Sequence, residues 1–334
     1  MKKILSIIFF LLLTIGCFCQ NKLLTKKIVY TLSVTDNSVK MKKDNDTILY
    51  EYKVNRRFWW EAMESLTNEI KTNKLSMYNS NGQVITWDSM TNELSKQLKV
   101  IYGKTLNKKE IQEILDNEIR KIEFEEEWTY NPSTMLIDKK VISYTPIISR
   151  DSVALVGEEM QVKEYFSFPI GKIYPKNLPN KDTILICRDI RYTMPIYNSK
   201  PYRWWDSNLE AEYSIPYFDD FFHKAETGLI SVYDNPDIVD ALTKGEIIKR
   251  REYSKNETII KNLTENNISE TDTTIKLTYN SEDIDFLRFG EEIYFDKINF
   301  NFIKTTNYIA PVVRIFATDG SLIGFYPIYY IRKR

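Results

Sequence analysis

Cysteine, histidine and glycine are scarce in this chain, which contains 3, 1 and 10 of them in 334 residues. A zinc site normally needs three or four cysteine, histidine or carboxylate ligands, and the sequence offers no such cluster. The single histidine, His223, has no nucleophile motif beside it, and the glycines form no phosphate-binding fingerprint. The sequence therefore predicts no metal site, no cofactor and no catalytic triad.

Net charge is also lacking, because 46 basic residues balance 46 acidic ones. A chain without a basic surplus has no electrostatic footprint for nucleic acid. No stretch beyond the first residues reaches the roughly 20 apolar residues that a membrane-spanning helix needs. With 43% hydrophobic and 13% aromatic residues, the chain has ample material for the cores of two domains.

The first 19 residues have the pattern of an export signal, with two lysines followed by roughly a dozen apolar residues. Cleavage before Gln20 would release a mature protein that has left the cytoplasm. Alternatively, the residues ending at Cys17 form a lipobox, and a lipid on Cys17 would anchor the exported protein to a membrane. Cleavage before Gln20 leaves Cys187 as the one remaining cysteine, so no intrachain disulfide is expected.

Three short sequence blocks occur twice in the same order. The second copy follows the first by 155, 165 and 158 residues in the three blocks. Packed elements tolerate little change in length whereas surface loops tolerate much, so this pattern is typical of a duplicated supersecondary unit. The matched blocks are Leu75–Tyr78 with Ile230–Tyr233, Glu126–Tyr130 with Glu291–Phe295, and Phe168–Ile170 with Tyr326–Ile328.

The predicted fold class is α+β, with two related units that each pack an amphipathic helix on an antiparallel sheet. Helical periodicity over Arg56–Thr72 and around Tyr217–Ala225 predicts the two helices. Strict alternation over Lys121–Tyr130 and over Leu287–Asp296 predicts the two strands. The predicted segments are a signal peptide (1–19), a linker or edge strand (20–50), a first unit (51–175), a connection (176–208), and a second unit (209–334) with a polar insertion at 249–280.

Two glutamates interrupt the alternation at the same point of the repeated strand. Glu126 and Glu291 each occupy a position that the pattern reserves for an apolar residue. One interpretation is a functional carboxylate with a raised pKa. The interpretation we prefer is structural: a bulge that turns the glutamate outward, or an internal pair with an arginine such as Arg57 or Arg288. Occurrence in both units favours a role in building the unit.

Trp60, Trp204 and Trp205 are the candidate residues for contact with a partner protein, because tryptophan is enriched at binding hot spots. Trp60 follows Trp59 on a predicted helix, so the two rings point about 100° apart. An alternative function is an envelope protein that binds or cleaves glycans through surface carboxylates and tryptophans. Glycoside hydrolysis needs only two carboxylates, and it is the one enzyme class that the sequence does not disfavour.

Several segments resemble the GldN/PorN family. Arg56–Trp60, leading through the helix into Leu75–Tyr78, resembles a family passage in which two arginines and a helix precede the strand I-T-x-V-Y. Ile122–Tyr130 is similar to the family strand I-K-E-x-W-x-F-D, and Ile142–Ile147 is similar to the strand I-x-G-I-A-P. Tyr217–Tyr233 looks like a later helix and strand of the same family.

The resemblance implies a periplasmic component of the gliding-motility and type IX secretion machinery of Bacteroidetes. Such a protein is non-enzymatic and joins an outer-membrane lipoprotein in a ring that supports secretion and motility. The chain departs from the family pattern at Thr145-Pro146, where the family has Ala-Pro, and restores it at Ala310-Pro311. The expected function is therefore that of a divergent structural component bound to an envelope protein.

Overall fold

The computed structural model describes residues 21–33, 40–43, 46–49, 51–54, 56–156, 159–195, 211–264, 267–317 and 321–333. Within these ranges, helices and extensive antiparallel sheets form an α+β fold, which confirms the predicted class. The helices are α1 (Arg56–Lys71), α2 (Trp87–Tyr102), α3 (Lys108–Asn117), α4 (Ala211–Glu226) and α5 (Lys244–Arg251). The strands are β1 (Lys22–Ser33), β2 (Lys40–Lys43), β3 (Asp46–Leu49), β4 (Glu51–Val54), β5 (Met77–Tyr78), β6 (Val84–Ile85), β7 (Ile119–Tyr130), β8 (Ile137–Val156), β9 (Glu159–Pro169), β10 (Thr183–Pro195), β11 (Glu252–Thr264), β12 (Asn267–Thr278), β13 (Phe286–Asp296), β14 (Asn301–Phe316), β15 (Leu322–Pro327) and β16 (Ile331–Arg332).

The two large sheets share one plan. The first has the strand order β1-β7-β8-β9, and the second has the order β15-β14-β13-β10-β4, with β16 also pairing with β14. In chain order and in pairing, β1, β7 and β8 therefore correspond to β10, β13 and β14. β4 belongs to the first part of the chain but pairs with β10 at the edge of the second sheet. The two halves are thus joined by backbone hydrogen bonds as well as by side chains.

Regular strands occupy the three segments that were expected to be a linker or edge strand, a connection, and a polar insertion. β1 lies within 20–50 and is the edge strand of the first sheet, which is one of the two alternatives for that segment. β10 lies within 176–208, where a connection was expected, and pairs with β13 and β4. Nearby prolines, and a bulge between Cys187 and Ile190, hide the alternation of β10 in the sequence. The polar insertion at 249–280 contains the two-stranded hairpin β11–β12.

The predicted amphipathic helices are confirmed as α1 and α4, and each buries one apolar stripe. α1 ends one residue earlier than predicted, at Lys71. Both α1 and α4 are 16 residues long, and none of the helices in the described ranges is long and apolar enough to span a membrane. The buried stripe residues are Trp59, Ala62, Met63, Leu66 and Ile70 in α1, and Tyr217, Phe218, Phe221, Phe222 and Ala225 in α4.

The turns after β7 and β13 repeat the same conformation. Asn131 and Asp296 each accept, through the side-chain Oδ1, a hydrogen bond from the backbone N–H two residues later, at 2.8 and 3.0 Å. Met135 and Phe300 then have positive φ values of 58° and 50°, a region that non-glycine residues rarely adopt. These paired features show that the duplication extends from sequence blocks to backbone conformation.

Candidate functional site

Glu126 and Glu291 lie at equivalent bulges of the two sheets. The register between β7 and β8 shifts at Glu126, and the register between β13 and β14 shifts at Glu291. A bulge places an extra residue on one strand and re-aims the neighbouring side chains. Both glutamates are 0% exposed, so the outward orientation that we considered from the sequence does not occur. The bulge is present at each position, but the glutamate beside it is buried in the interior of the protein.

Each buried glutamate pairs with a lysine from the other half of the chain. Lys304 Nζ, on β14, lies 2.6 Å from Glu126 Oε1, and both side chains are 0% exposed. Lys139 Nζ, on β8, lies 2.6 Å from Glu291 Oε1, and both of these side chains are also 0% exposed. Each half therefore supplies one glutamate and one lysine to the interface, and each of these residues pairs with a residue of the other half.

The internal partners are lysines rather than the arginines considered from the sequence. Arg57 is exposed at the start of α1. Arg288 donates instead to Thr193 Oγ1 at 3.2 Å and to the Tyr330 hydroxyl at 3.3 Å. A compact ammonium on a flexible stem fits between two aromatic-lined sheets, whereas a guanidinium needs a wider planar fork of acceptors.

The lysines repeat with the same spacing as the glutamates. Lys304 follows Lys139 by 165 residues, and Glu291 follows Glu126 by 165 residues. A two-fold relation produces such an arrangement, because residue i of one unit contacts residue j of the other and the reverse also holds. Neither lysine was predicted as a site residue from the sequence, although the shared spacing of 165 residues connects both lysines with the two glutamates.

Two tyrosines complete the cluster near its centre. Tyr30 of β1 donates to Glu126 Oε2 at 2.8 Å, and Tyr192 of β10 donates to Glu291 Oε2 at 2.9 Å. The two hydroxyl oxygens are 3.4 Å apart, and the rings stack with centroids 6.0 Å apart. Each hydroxyl also accepts from a lysine: the Tyr30 hydroxyl from Lys304 at 2.7 Å and the Tyr192 hydroxyl from Lys139 at 2.5 Å.

Aromatic rings surround both ammonium groups. Lys139 Nζ lies 3.4 Å from the centroid of Phe289 and 4.2 Å from that of Trp128. Lys304 Nζ lies 3.2 Å from the centroid of Phe124, the residue of the first unit that corresponds to Phe289. Cation–π attraction strengthens when the cation is desolvated. The rings therefore stabilise the buried lysines while keeping water away from them.

The two halves of the cluster differ in one further donor. Trp128 Nε1 donates to Glu126 Oε2 at 2.7 Å. The corresponding position in the second unit is Ile293, which cannot donate. Glu291 instead receives a longer contact from Thr306 Oγ1 at 3.4 Å. Both hydrogen bonds from tyrosine and tryptophan to Glu126 therefore fall on Oε2, and its Oε1 faces the lysine of the ion pair.

The pKa of Glu126 is lower than its ordinary value of 4.5. Burial acts in the opposite direction and would raise this pKa, but the charges of Lys304 and Lys139 and the hydrogen bonds from Lys304 and Trp128 outweigh it. The interpretation of Glu126 as a carboxylate with a raised pKa is therefore wrong. Glu126 is ionised in the folded protein at neutral pH.

Burial has the larger effect on the two lysines. It lowers the pKa of Lys139 to about 8, against the opposing influence of Glu291 and Glu126. It also lowers the pKa of Lys304, against the same two carboxylates. Burial, followed by the glutamate charges, raises the pKa of Tyr30 and of Tyr192 well above its ordinary value. Both phenols therefore stay protonated and can donate to the glutamates.

Of the predicted partner-contact residues, Trp60 lies within the described part of the chain, and it is not among the residues that form this cluster. Trp60 is half-buried on α1 and packs partly against the core, whereas its neighbour Trp59 is buried. Trp204, Trp205 and the lipidation candidate Cys17 lie outside the described residues. In the ranges that the structure describes, no group of three or more His, Cys, Asp or Glu residues could hold a metal ion.

A groove with a volume of about 480 Å³ lies on the surface between α2 and the end of β9. Met90 and Ile170 form part of its apolar floor, and Glu93 and Lys96 lie on its polar side. Among the described residues that line it, Glu93 is the one carboxylate. Acid–base hydrolysis of a glycan needs two carboxylates that flank the scissile bond, and this groove does not provide them.

The buried cluster therefore joins the two units through charged and aromatic side chains. The carboxylates accept from lysine, tyrosine and tryptophan donors inside the protein, and they do not reach solvent. No family model matches the chain, and no curated protein or solved structure matches it either. What the fold and site define is an α+β protein of two related units joined by reciprocal buried ion pairs.

Proposed function

We propose that this chain is a non-enzymatic structural component of a cell-envelope assembly, of the kind that the resemblance to the GldN/PorN family implies. The observation that carries the proposal is the complete burial of Glu126 and Glu291. These carboxylates were the best catalytic candidates in the sequence, and each is held by a lysine of the other unit at 2.6 Å. A charge network of this kind supports the shape of a scaffold, and its burial keeps both carboxylates away from a substrate in solvent.

In this proposal the protein works in the periplasm as part of a type IX secretion or gliding-motility apparatus. Its partner is an outer-membrane lipoprotein, and Trp60 belongs to the contact surface because its ring is half-buried. The export signal places the protein in the periplasm, or Cys17 anchors it to the outer membrane. The mass of the intact envelope protein distinguishes a free N-terminus at Gln20 from a lipidated Cys17.

Recovery of the partner tests the proposal directly. Tagged protein would be crosslinked in cells and purified from envelope extracts, and we expect an outer-membrane lipoprotein to be recovered with it. Purification as a lone monomer after crosslinking would contradict the proposal. Trp60→Ala should lower the recovery of the partner while the protein remains folded, with a moderately lower thermal midpoint because the ring packs partly against the core. The matched control is Tyr165→Ala, since Tyr165 is 51% exposed on the edge strand β9.

The glycan-binding or glycan-cleaving alternative has no specific observation in its favour. It predicts turnover of polysaccharides that Glu126→Gln and Glu291→Gln would abolish while the protein stays folded. The scaffold proposal predicts no turnover in the native protein, together with a loss of stability in both variants. A polysaccharide screen combined with chemical denaturation of the same samples separates the two functions.

A further inference from the structure

We propose that the interface between the two units is an exchangeable docking surface, and that it accepts the matching unit from a second copy of this chain. The first unit comprises residues 21–175 and the second comprises 176–333. This inference concerns association of the chain with itself, and it does not depend on the identity of any envelope partner. It rests on the charges, the helix contacts and the single connection between the units.

The charges of each unit form the same self-complementary set. The first unit supplies one glutamate and one lysine, Glu126 and Lys139, and the second supplies Glu291 and Lys304. Both ion pairs cross from one unit to the other, and neither is made within a unit. A unit separated from its partner would lose both ion pairs and would expose to water the aromatic rings that now enclose the lysines, and exposure of apolar surface is unfavourable. Each unit therefore requires a partner of its own kind.

The helices also make reciprocal contacts between the two units. In α1, Glu61 Oε1 lies 3.0 Å from Lys297 Nζ in the turn after β13 of the second unit. In α4, Lys224 Nζ donates to the carbonyl of Pro132 at 2.7 Å in the turn after β7 of the first unit. The Tyr217 hydroxyl donates to the carbonyl of Met135 at 2.8 Å in that same turn. Each unit thus places its helix on the sheet–turn region of the other.

The covalent link between the units runs from the end of β9 at Pro169 to the start of β10 at Thr183. Its first part is held by the first unit, because Ile173 is buried and its backbone is hydrogen-bonded to β8. Residues 174–182 belong to no helix or strand, and Tyr174 and Leu178 are 47% and 49% exposed. Exchange of identical elements between copies needs an interface that is already complementary and a hinge that can extend. Both conditions are present here.

A pair of charge-reversed full-length chains tests the proposal. The first-unit reversal carries Glu126→Lys with Lys139→Glu, and the second-unit reversal carries Glu291→Lys with Lys304→Glu. In either chain alone, like charges face each other in both pairs. When the two chains associate by exchange, each first unit meets a second unit of matching charge, and all four pairs across the dimer have opposite signs.

We expect neither reversed chain to give a stable folded monomer, whereas coexpression should give a one-to-one particle. Light scattering should then show twice the mass of one chain, and two different affinity tags should copurify. A chain with all four substitutions is the control, because it restores both pairs internally and should fold as a monomer. If that control folds and the coexpressed chains show no mixed particle, the proposal is wrong.

A second measurement applies if the four-substitution control does not fold. Two differently tagged wild-type chains would be denatured together, refolded at high concentration and separated by size. A particle of doubled mass that carries both tags supports exchange. Recovery of both chains only as monomers with a single tag overturns the proposal. Failure here leaves the envelope function intact, and loss of the envelope partner leaves exchange intact, so the two proposals are tested separately.

Discussion

Four buried charges are costly at the scale of the residue, because each must leave water. The structure offsets this cost with short contacts: Lys304 to Glu126, Lys139 to Glu291, and a tyrosine hydroxyl on each carboxylate. A buried ion pair is weak evidence for high stability, since an apolar pair of similar volume is often as stable. We therefore assign these pairs a role in fixing how the units align, and this role makes specific predictions.

Replacing one residue of a buried ion pair should lower the free energy of unfolding more than replacing both residues does. Lys304→Met leaves Glu126 buried without its cation, and we expect unfolding free energy to fall by about 3–5 kcal/mol. The double variant Lys304→Met with Glu126→Leu should cost less than Lys304→Met alone. Urea denaturation of the wild type, both single variants and the double variant measures the coupling.

The exposed pair Lys96–Glu93, with a nitrogen–oxygen distance of 3.6 Å, supplies the control. Lys96→Met should leave the denaturation midpoint unchanged, because exposed ion pairs contribute little. Strict additivity of the two single substitutions in the buried pair would contradict its coupling.

The indole donor that is present in only one unit gives an asymmetric prediction. Trp128→Phe removes the 2.7 Å hydrogen bond to Glu126 and should lower unfolding free energy by about 1–3 kcal/mol, because a buried acceptor is left less satisfied. Thr306→Val, which removes the 3.4 Å contact to Glu291, should cost clearly less. Equal effects in urea denaturation would show that the indole has no special role.

Acid should destabilise the protein partly through Glu126. Its pKa in the folded state lies below the ordinary value of 4.5, so the unfolded chain takes up the proton first. The stabilisation is complete above pH 4.5 and is lost as the pH falls through the folded pKa. Thermal midpoints measured from pH 7 down to pH 3 should therefore fall less steeply for Glu126→Gln than for the wild type. Parallel curves would exclude Glu126 as a contributor.

At the scale of the element, the register shift between β13 and β14 lies next to Gly290, a residue without a side chain. A Cβ at Gly290 would lie 2.0 Å from a ring carbon of Tyr308, so the tyrosine ring covers the glycine across the β13–β14 pair. Gly290→Ala should lower unfolding free energy by about 1–3 kcal/mol through overpacking. Gly324→Ala in β15 is the control, because nothing lies within 4 Å of its added carbon. Equal midpoints of urea unfolding would contradict this account.

Elements with strong local signals could be predicted from the sequence, and those that depend on long-range contacts could not. The alternation of β7 and the stripe of α1 predicted both elements because burial on one face is a local pattern. The dipeptide Asn81-Gly82 favours a two-residue hairpin turn, but the loop between β5 and β6 has five residues. Asn79 Oδ1 accepts from the backbone of Asn81 and of Gln83, at 3.0 and 2.9 Å, and so holds the longer loop.

The buried cluster could not be predicted from local sequence patterns. Its glutamates were visible because they break an alternation, but their partners lie on strands of the opposite unit. Lys139 is a polar residue on a strand, which is ordinary in a sequence. Its significance follows only from its equal spacing with Lys304 and from the way the sheets face each other.

At the scale of the whole molecule, the duplication has a physical consequence. The two units are complete only together, because the charges, helices and the β4 edge of one are accommodated by the other. The chain therefore resembles a two-fold dimer whose subunits have been joined.

The measurement that tests this account most directly compares two double variants of identical composition. Glu126→Lys with Lys304→Glu reverses one pair across the units and keeps opposite charges together. Glu126→Lys with Lys139→Glu reverses both charges within the first unit and places like charges together in both pairs. We predict that the first variant unfolds in urea near the wild-type midpoint and that the second is unfolded or strongly destabilised. Equal stability of the two would contradict reciprocal pairing between the units.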